Sequence, residues 1–195
     1  MIRILLYHGT TDNHGRNIET HGVDLSKSQD LLDFSKGFYT TPDIKFALKT
    51  AMQRYSTSRY FPNLVKEING IAVVILEYDE QKAAKKLRIK NYPTPSNTWA
   101  RFVMANRVDS DKHWVGFDNN RFAQYDIIAG PTADGKLDDT LISIEKGMLR
   151  ISDVTSNMCQ PAIKGAWAKQ ISFHTVASLG CITVQNVVYL DWKEE

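Results

Sequence analysis

Apolar positions along the chain recur with two periods, and these mark out its elements. Ile2, Ile4, Leu5, Leu6 and Tyr7 form a short β-branched and aliphatic run. That run predicts a buried strand over 2–7, which leaves His8 at its C-terminal end facing a cleft. Gly9 then lets a ligand approach the backbone closely. Residues 13–20 read as a short helix closed by Gly22, and 24–35 are polar enough to form a loop. Gly37 to Thr40 predict a second strand. Alternation puts Phe38 in the core and Tyr39 on the opposite face. Thr41-Pro42-Asp43 is a helix start, with Thr41 as N-cap, proline at the first helical position and an acid in the first turn. Ile44, Ala47, Leu48, Ala51, Met52 and Tyr55 follow at helical spacing.

Further on, 71–78 is a continuous apolar strand, and Trp99, Phe102, Val103 and Asn106 outline a helix entered through the Pro93–Asn97 turn. A strand is expected over 125–130. Leu137, Leu141, Ile144 and Met148 suit a third major helix with Asp134 as candidate cap. Strands at 170–174 and 182–190 flank a short helix begun by Thr175 and closed by Gly180. On the first of these, Gln170, Ser172 and His174 share one face while Ile171 and Phe173 point into the core. There are more strands than a βαβ alternation would produce, so the pattern predicts an α+β fold with a mixed or antiparallel sheet.

Composition narrows this reading without redirecting it. A chain of 195 residues, 43% apolar, can bury one sizeable core, and no linker interrupts it, so a single domain over 1–195 is expected. Twenty-four Lys and Arg against 22 Asp and Glu leave a net charge of +2, too little to imply a nucleic-acid partner. The one basic cluster, Lys82 to Lys90, reads as a solvated face. Cys159 and Cys181 have no metal spacing or C-x-x-C partner, which points to a reduced, cytoplasmic setting without a metal. The residues ahead of His8 lack the length and cleavage site of a signal peptide, so none is expected, and no apolar run approaches the ~20 residues a membrane span needs. A Walker loop, G-x-S-x-G, H-E-x-x-H and paired C-x-x-C are all missing.

Two short blocks carry the candidate chemistry, His8-Gly9-Thr10 and Phe34-Ser35-Lys36-Gly37-Phe38-Tyr39. In order and spacing they resemble the H-G-[ST] and F-G-K-G-[IF]-Y blocks of the ADP-ribosyltransferase superfamily. The resemblance is to the His-Tyr-Glu branch shared with poly(ADP-ribose) polymerases, and within it to a group of small bacterial proteins. Ser35 is the one departure, standing where that block has glycine. The resemblance implies split mixed or antiparallel sheets flanked by helices around an NAD cleft. It also implies that His8 donates to the 2′-hydroxyl of the adenine-side ribose, that Gly9 pairs through its backbone with the nicotinamide amide, and that Tyr39 stacks on the nicotinamide ring. Thr10 would support the adenosine side, and Gly37, Phe38, Thr40 and Ser172 complete the implied NAD contacts. Read without the resemblance, His8 is a structural hydrogen-bonder, Tyr39 a packing aromatic and Gln170 a solvent-facing polar residue.

The third block of that branch is a glutamate opening a late strand, and Gln170 stands there instead. Gln170 can still hydrogen-bond a ribose hydroxyl, but it supplies no negative charge to a developing cation. Such a contact is commonly worth roughly 3 kcal/mol. As an isostere of glutamate, Gln170→Glu is expected to be tolerated structurally and to speed nicotinamide release. The resemblance therefore implies a mono-ADP-ribosyltransferase using NAD and no metal, with His8, Tyr39 and Gln170 as the catalytic set. Its acceptor would be a protein or nucleic acid. A toxin or defence effector of this kind would act in the cytoplasm and be held in check by a cognate antitoxin or immunity protein. The rival readings are an NAD glycohydrolase and an inactive module binding NAD or ADP-ribose.

Overall fold

The computed structural model describes residues 3–58, 68–134, 137–159 and 167–191. In chain order its elements are β1 (Arg3–Thr11), α1 (Asp12–His21), β2 (Phe38–Thr40), α2 (Ile44–Ser58), β3 (Gly70–Asp79), α3 (Glu80–Lys86), β4 (Ile89–Asn91), α4 (Asn97–Arg107), α5 (Asp111–Trp114), β5 (Ile127–Pro131), α6 (Leu137–Glu145), β6 (Lys169–Phe173), α7 (Val176–Leu179) and β7 (Ile182–Asp191). The strands form two sheets, one antiparallel with order β1-β3-β7 and one mixed with order β2-β6-β5-β4, so the fold class is α+β. No helix among the described residues is long and apolar enough to cross a membrane. The chain divides into two compact units, Met1–Asp24 with Tyr39–Lys86 and Val176–Glu195, and Leu25–Phe38 with Leu87–Thr175.

In the first unit, β3 sets the length of β1. Pairing runs without a break from Arg3↔Asp79 to Thr11↔Ile71, so the strand continues past Tyr7 and His8 lies inside the ladder opposite Val74. The sequence-based boundary at 7 is thus corrected, because the partner strand decides where a strand stops. Ile2 lies outside the described residues. Gly22 closes α1 as expected, with φ 80° and its N–H on the Ile18 carbonyl at 2.8 Å. The helix start at 41–43 is displaced. Asp43, not Thr41, caps α2, since its Oδ1 accepts from Lys45 N at 2.9 Å and its carbonyl from Ala47 N at 3.0 Å. Thr41 instead exchanges backbone hydrogen bonds with Tyr7 at 2.8 and 2.9 Å, tying the chain after β2 to β1. Residues 80–86, which overlap the start of the basic cluster, form α3. Its single buried residue is Ala83, which leaves too little apolar repeat for the pattern to show.

α2 lies unusually close to β1 at Gly9. A Cβ on Gly9 would come within 1.8 Å of the Ala47 carbonyl oxygen and 2.9 Å of the Ala51 nitrogen, both backbone atoms of that helix. No rotamer change relieves such a clash, so Gly9→Ala must push α2 off the sheet. We expect it to lose about 3 kcal/mol in denaturant unfolding. Wild-type stability in this variant would mean that helix and strand do not meet there.

In the second unit, β5 pairs antiparallel with β6 and parallel with β4. Ser96 opens α4 by accepting from Trp99 N at 3.1 Å, and the helix buries Trp99, Phe102 and Met104. Phe34 is also fully buried, with its ring against those of Tyr92 and Phe102. The segment 24–35 has no strand or α-helix, as expected of a loop, yet it ends in buried residues. At the other end of the unit, α6 stops before Met148, which is exposed beyond Gly147 at φ 72° and takes no part in the expected helical stripe. The residues between the proposed cap Asp134 and Leu137 lie outside the described part.

Candidate functional site

The first block meets the residue after Phe38 inside the first unit. His8 is buried, and its Nδ1 lies 2.6 Å from the Tyr39 carbonyl oxygen. A carbonyl can only accept, so Nδ1 carries the ring proton and Nε2 presents a lone pair. Arg54 Nη1, from α2, donates into that lone pair at 3.1 Å and to the Gly9 carbonyl at 3.0 Å. Desolvation, reinforced by the Arg54 charge, lowers the His8 pKa to about 3, so the ring is neutral at pH 7. The His8 ring therefore turns a lone pair, and no second proton, toward Arg54. The bareness of Gly9 has its own explanation, since the space beside it is filled by the Ala47 carbonyl.

Tyr39 is half-buried between buried Phe38 and Thr40, as strand alternation requires, and Thr10 is buried on β1. Arg54 had no signal in the sequence. It sits on a polar position of an amphipathic helix, and only the close approach of α2 to β1 brings it to His8.

In the second unit the polar face of β6 is buried, not solvated. Gln170 is 7% exposed, and its Nε2 donates to Asp33 Oδ2 at 2.7 Å and to the Pro131 carbonyl at 3.2 Å. Asp33 also accepts from Arg107 Nε at 2.8 Å and from Ala133 N at 2.9 Å. A buried carboxylate, a guanidinium and an amide thus satisfy one another, which is the condition for keeping such groups in an interior. None of the hydrogen bonds among the described residues uses Gln170 Oε1, so the fixed amide keeps an acceptor end.

Ser172 and His174 continue this face. His174 Nδ1 donates to the Lys36 carbonyl at 2.7 Å, and its Nε2 accepts from the Ser172 hydroxyl at 2.8 Å. Burial lowers the His174 pKa to about 4. Gly37 makes room for this ring, because a Cβ there would lie 2.6 Å from His174 Nδ1, and Ser28 Oγ holds both its N–H and its carbonyl. The sequence pattern gave no signal for Asp33 and placed His174 only on a strand face, because their partners come from distant segments. Cys159 is buried, and desolvation, reinforced by the Asp33 charge, pushes its thiol up to about 12, which leaves it inert.

A groove of about 240 Å³ in this unit, between Tyr92, Pro93, Pro95 and Trp167, is lined by none of the sequence-predicted site residues. Among the described residues, no group of three or more His, Cys, Asp and Glu side chains is placed to hold a metal ion.

No curated protein and no solved structure matches the chain. A family model described as "Protein of unknown function (DUF3990)" matches residues 4–184. That span takes in the second sheet, the His8 block, β3 and β6 and ends three residues into β7, and the chain belongs to the DUF3990 family.

Proposed function

We propose that the chain is a mono-ADP-ribosyltransferase that binds NAD, breaks the bond between the nicotinamide nitrogen and the ribose C1′, and passes ADP-ribose to a macromolecular acceptor. One observation carries the reading. The His8 ring is fixed on the Tyr39 carbonyl at 2.6 Å, so the histidine of the first block lies beside the tyrosine that ends the second. There, His8 Nε2 would accept from a ribose hydroxyl, the Gly9 carbonyl from the nicotinamide amide, and the Tyr39 ring would stack on nicotinamide. Thr10 and Thr40 would line the same stretch. Ser35 adds indirect support. It stands where the resembling block has glycine, and its φ of 72° is the left-handed region that glycine favours.

In the reaction the glycosidic electrons leave with neutral nicotinamide. The oxocarbenium-like C1′ is captured by an acceptor nucleophile, which then loses its proton. The ribose contact assigned to Gln170, the parts given to Gly37, Phe38 and Ser172, and the setting of NAD between split sheets rest on the resemblance alone. So do action as a toxin or defence effector in the cytoplasm and control by an antitoxin or immunity protein.

One observation favours the rival reading of a binding module. Gln170 is neutral, and the Asp33 charge behind it is taken up by Arg107 and the Ala133 N–H, so neither offers negative charge to a cation. Incubation with NAD labelled in the ADP-ribose moiety separates these readings. Release of nicotinamide with transfer of label to a lysate acceptor is expected, whereas release without transfer indicates a hydrolase. Tyr39→Ala should weaken nicotinamide binding about fivefold or more, the loss of a stacking contact worth about 1 kcal/mol, at unchanged melting temperature. No binding of NAD, ADP-ribose or nicotinamide at millimolar concentration would overturn the reading.

A further inference from the structure

Arg54 is an incompletely answered cation. Its Nη1 makes both of its hydrogen bonds, to His8 Nε2 and the Gly9 carbonyl, and both acceptors are neutral. No ion pair among the described residues involves it, and no carboxylate raises its pKa. The residue is exposed overall, and partial desolvation of its guanidinium beside His8 and Gly9 lowers that pKa. Guanidinium offers five N–H donors in a planar fork, and two neutral acceptors on one nitrogen use that fork poorly. An anionic oxygen pair matches both its charge and its geometry in bidentate fashion, and a diphosphate offers such pairs.

The position adds a second argument. Arg54 covers the same two acceptors, the His8 lone pair and the Gly9 carbonyl, that an NAD-binding role requires. The base of its side chain cannot shift, because α2 is held against β1 at Gly9, so only the side chain can turn away.

We propose that Arg54 is the anion-binding residue of this site, capping His8 Nε2 and the Gly9 carbonyl in the free chain and turning to the diphosphate when a diphosphate-bearing ligand enters. Identifying that ligand as NAD rests on the function proposed above; the anion site itself does not. The exchange substitutes a charge-assisted bidentate contact for two weaker hydrogen bonds and uncovers two acceptors for the rest of the ligand. Arg54 is in this sense a gate as well as a ligand contact.

The test is calorimetry on the full chain with inorganic pyrophosphate, ADP-ribose, NAD and nicotinamide, comparing wild type with Arg54→Gln and Arg54→Lys. For Arg54→Gln we expect at least a tenfold loss of affinity for pyrophosphate and ADP-ribose, partly restored by lysine, with nicotinamide binding retained. Nitrogen NMR of the His8 ring supplies a readout that a purely structural role would not move. In wild type, pyrophosphate alone should shift Nε2 as Arg54 leaves it, and in Arg54→Gln it should not.

Equal affinity of folded wild type and Arg54→Gln for pyrophosphate and ADP-ribose overturns the proposal, and so does a wild-type Nε2 signal unmoved by saturating pyrophosphate. The latter result decides the matter even if the variants fail to fold. Arg54-dependent binding of pyrophosphate without any binding of NAD or nicotinamide leaves the anion site standing and removes the NAD reading. NAD and nicotinamide binding that is indifferent to Arg54 does the reverse.

Discussion

Gln170→Glu should destabilise the protein by about 3 kcal/mol at pH 7 and should not accelerate nicotinamide release. The sequence alone leads to the opposite expectation, since glutamate is isosteric with glutamine and the resembling enzymes carry it at this place. The buried surroundings decide against it. Gln170 Nε2 donates to a carboxylate oxygen at 2.7 Å and a carbonyl at 3.2 Å, and glutamate would replace that donor with an acceptor facing two acceptors. Leaving a buried carboxylate opposite another, with Arg107 paired to Asp33 as the one cation, costs on the scale of breaking a buried ion pair.

The variant's only relief is to take up a proton, because two adjacent carboxylates raise one pKa. Once protonated, the introduced side chain is neutral and brings no charge to the ribose. The sign follows: the raised folded-state pKa makes the destabilisation largest above it, fading as pH falls toward the unfolded glutamate value of about 4.3. Urea unfolding at pH 7.5 and 4.5 measures both parts. Adding Asp33→Asn should recover some of the loss by restoring one amide and one carboxylate. A Gln170→Glu protein that melts like wild type at pH 7.5 would mean that the Asp33 contact holds nothing.

Stability should also fall steeply between pH 6.5 and 4, because two neutral histidines are buried. His8 and His174 have pKa values lowered to about 3 and about 4, against about 6.5 in the unfolded chain. With the folded-state values depressed, stability is fully present above about 6.5. It is lost as pH falls, since the unfolded chain takes up protons that the folded one refuses. Each histidine contributes a slope of about 1.4 kcal/mol per pH unit in that window, so the pair costs several kcal/mol by pH 4.5. That is comparable to the whole stability of an ordinary domain. Denaturant unfolding at half-unit steps gives the slope. His8→Gln and His174→Asn should each reduce it by about one proton, whatever they do to absolute stability. A slope near zero at pH 5.5 would show that the rings are protonated in the folded state.

Local rules acting on neighbouring residues sufficed for much of the fold. The apolar run of β3, the opposite faces of Phe38 and Tyr39, the Gly22 helix stop and the α+β class all follow from periodicity and turn chemistry, which act within a few residues of chain. The sequence likewise marked His8 and Tyr39 as a pair, and they do meet. What it could not mark was whatever depends on a distant partner. β1 runs through His8 because β3 pairs with it for its full length. Gly9 is bare because of a helix carbonyl, and Gly37 because of His174.

The polar residues show the same division. Gln170 reads as solvent-facing by alternation, yet it is buried because Asp33 arrives from a segment too polar to be recognised as core. Arg54, on the outer positions of α2 by sequence, reaches His8 because the missing side chain of Gly9 lets the helix come that close. Sequence by itself determined which residue types sit where along each element. Only tertiary packing decided which of their hydrogen bonds are spent within the protein, because desolvation and donor–acceptor pairing depend on what closes over a side chain.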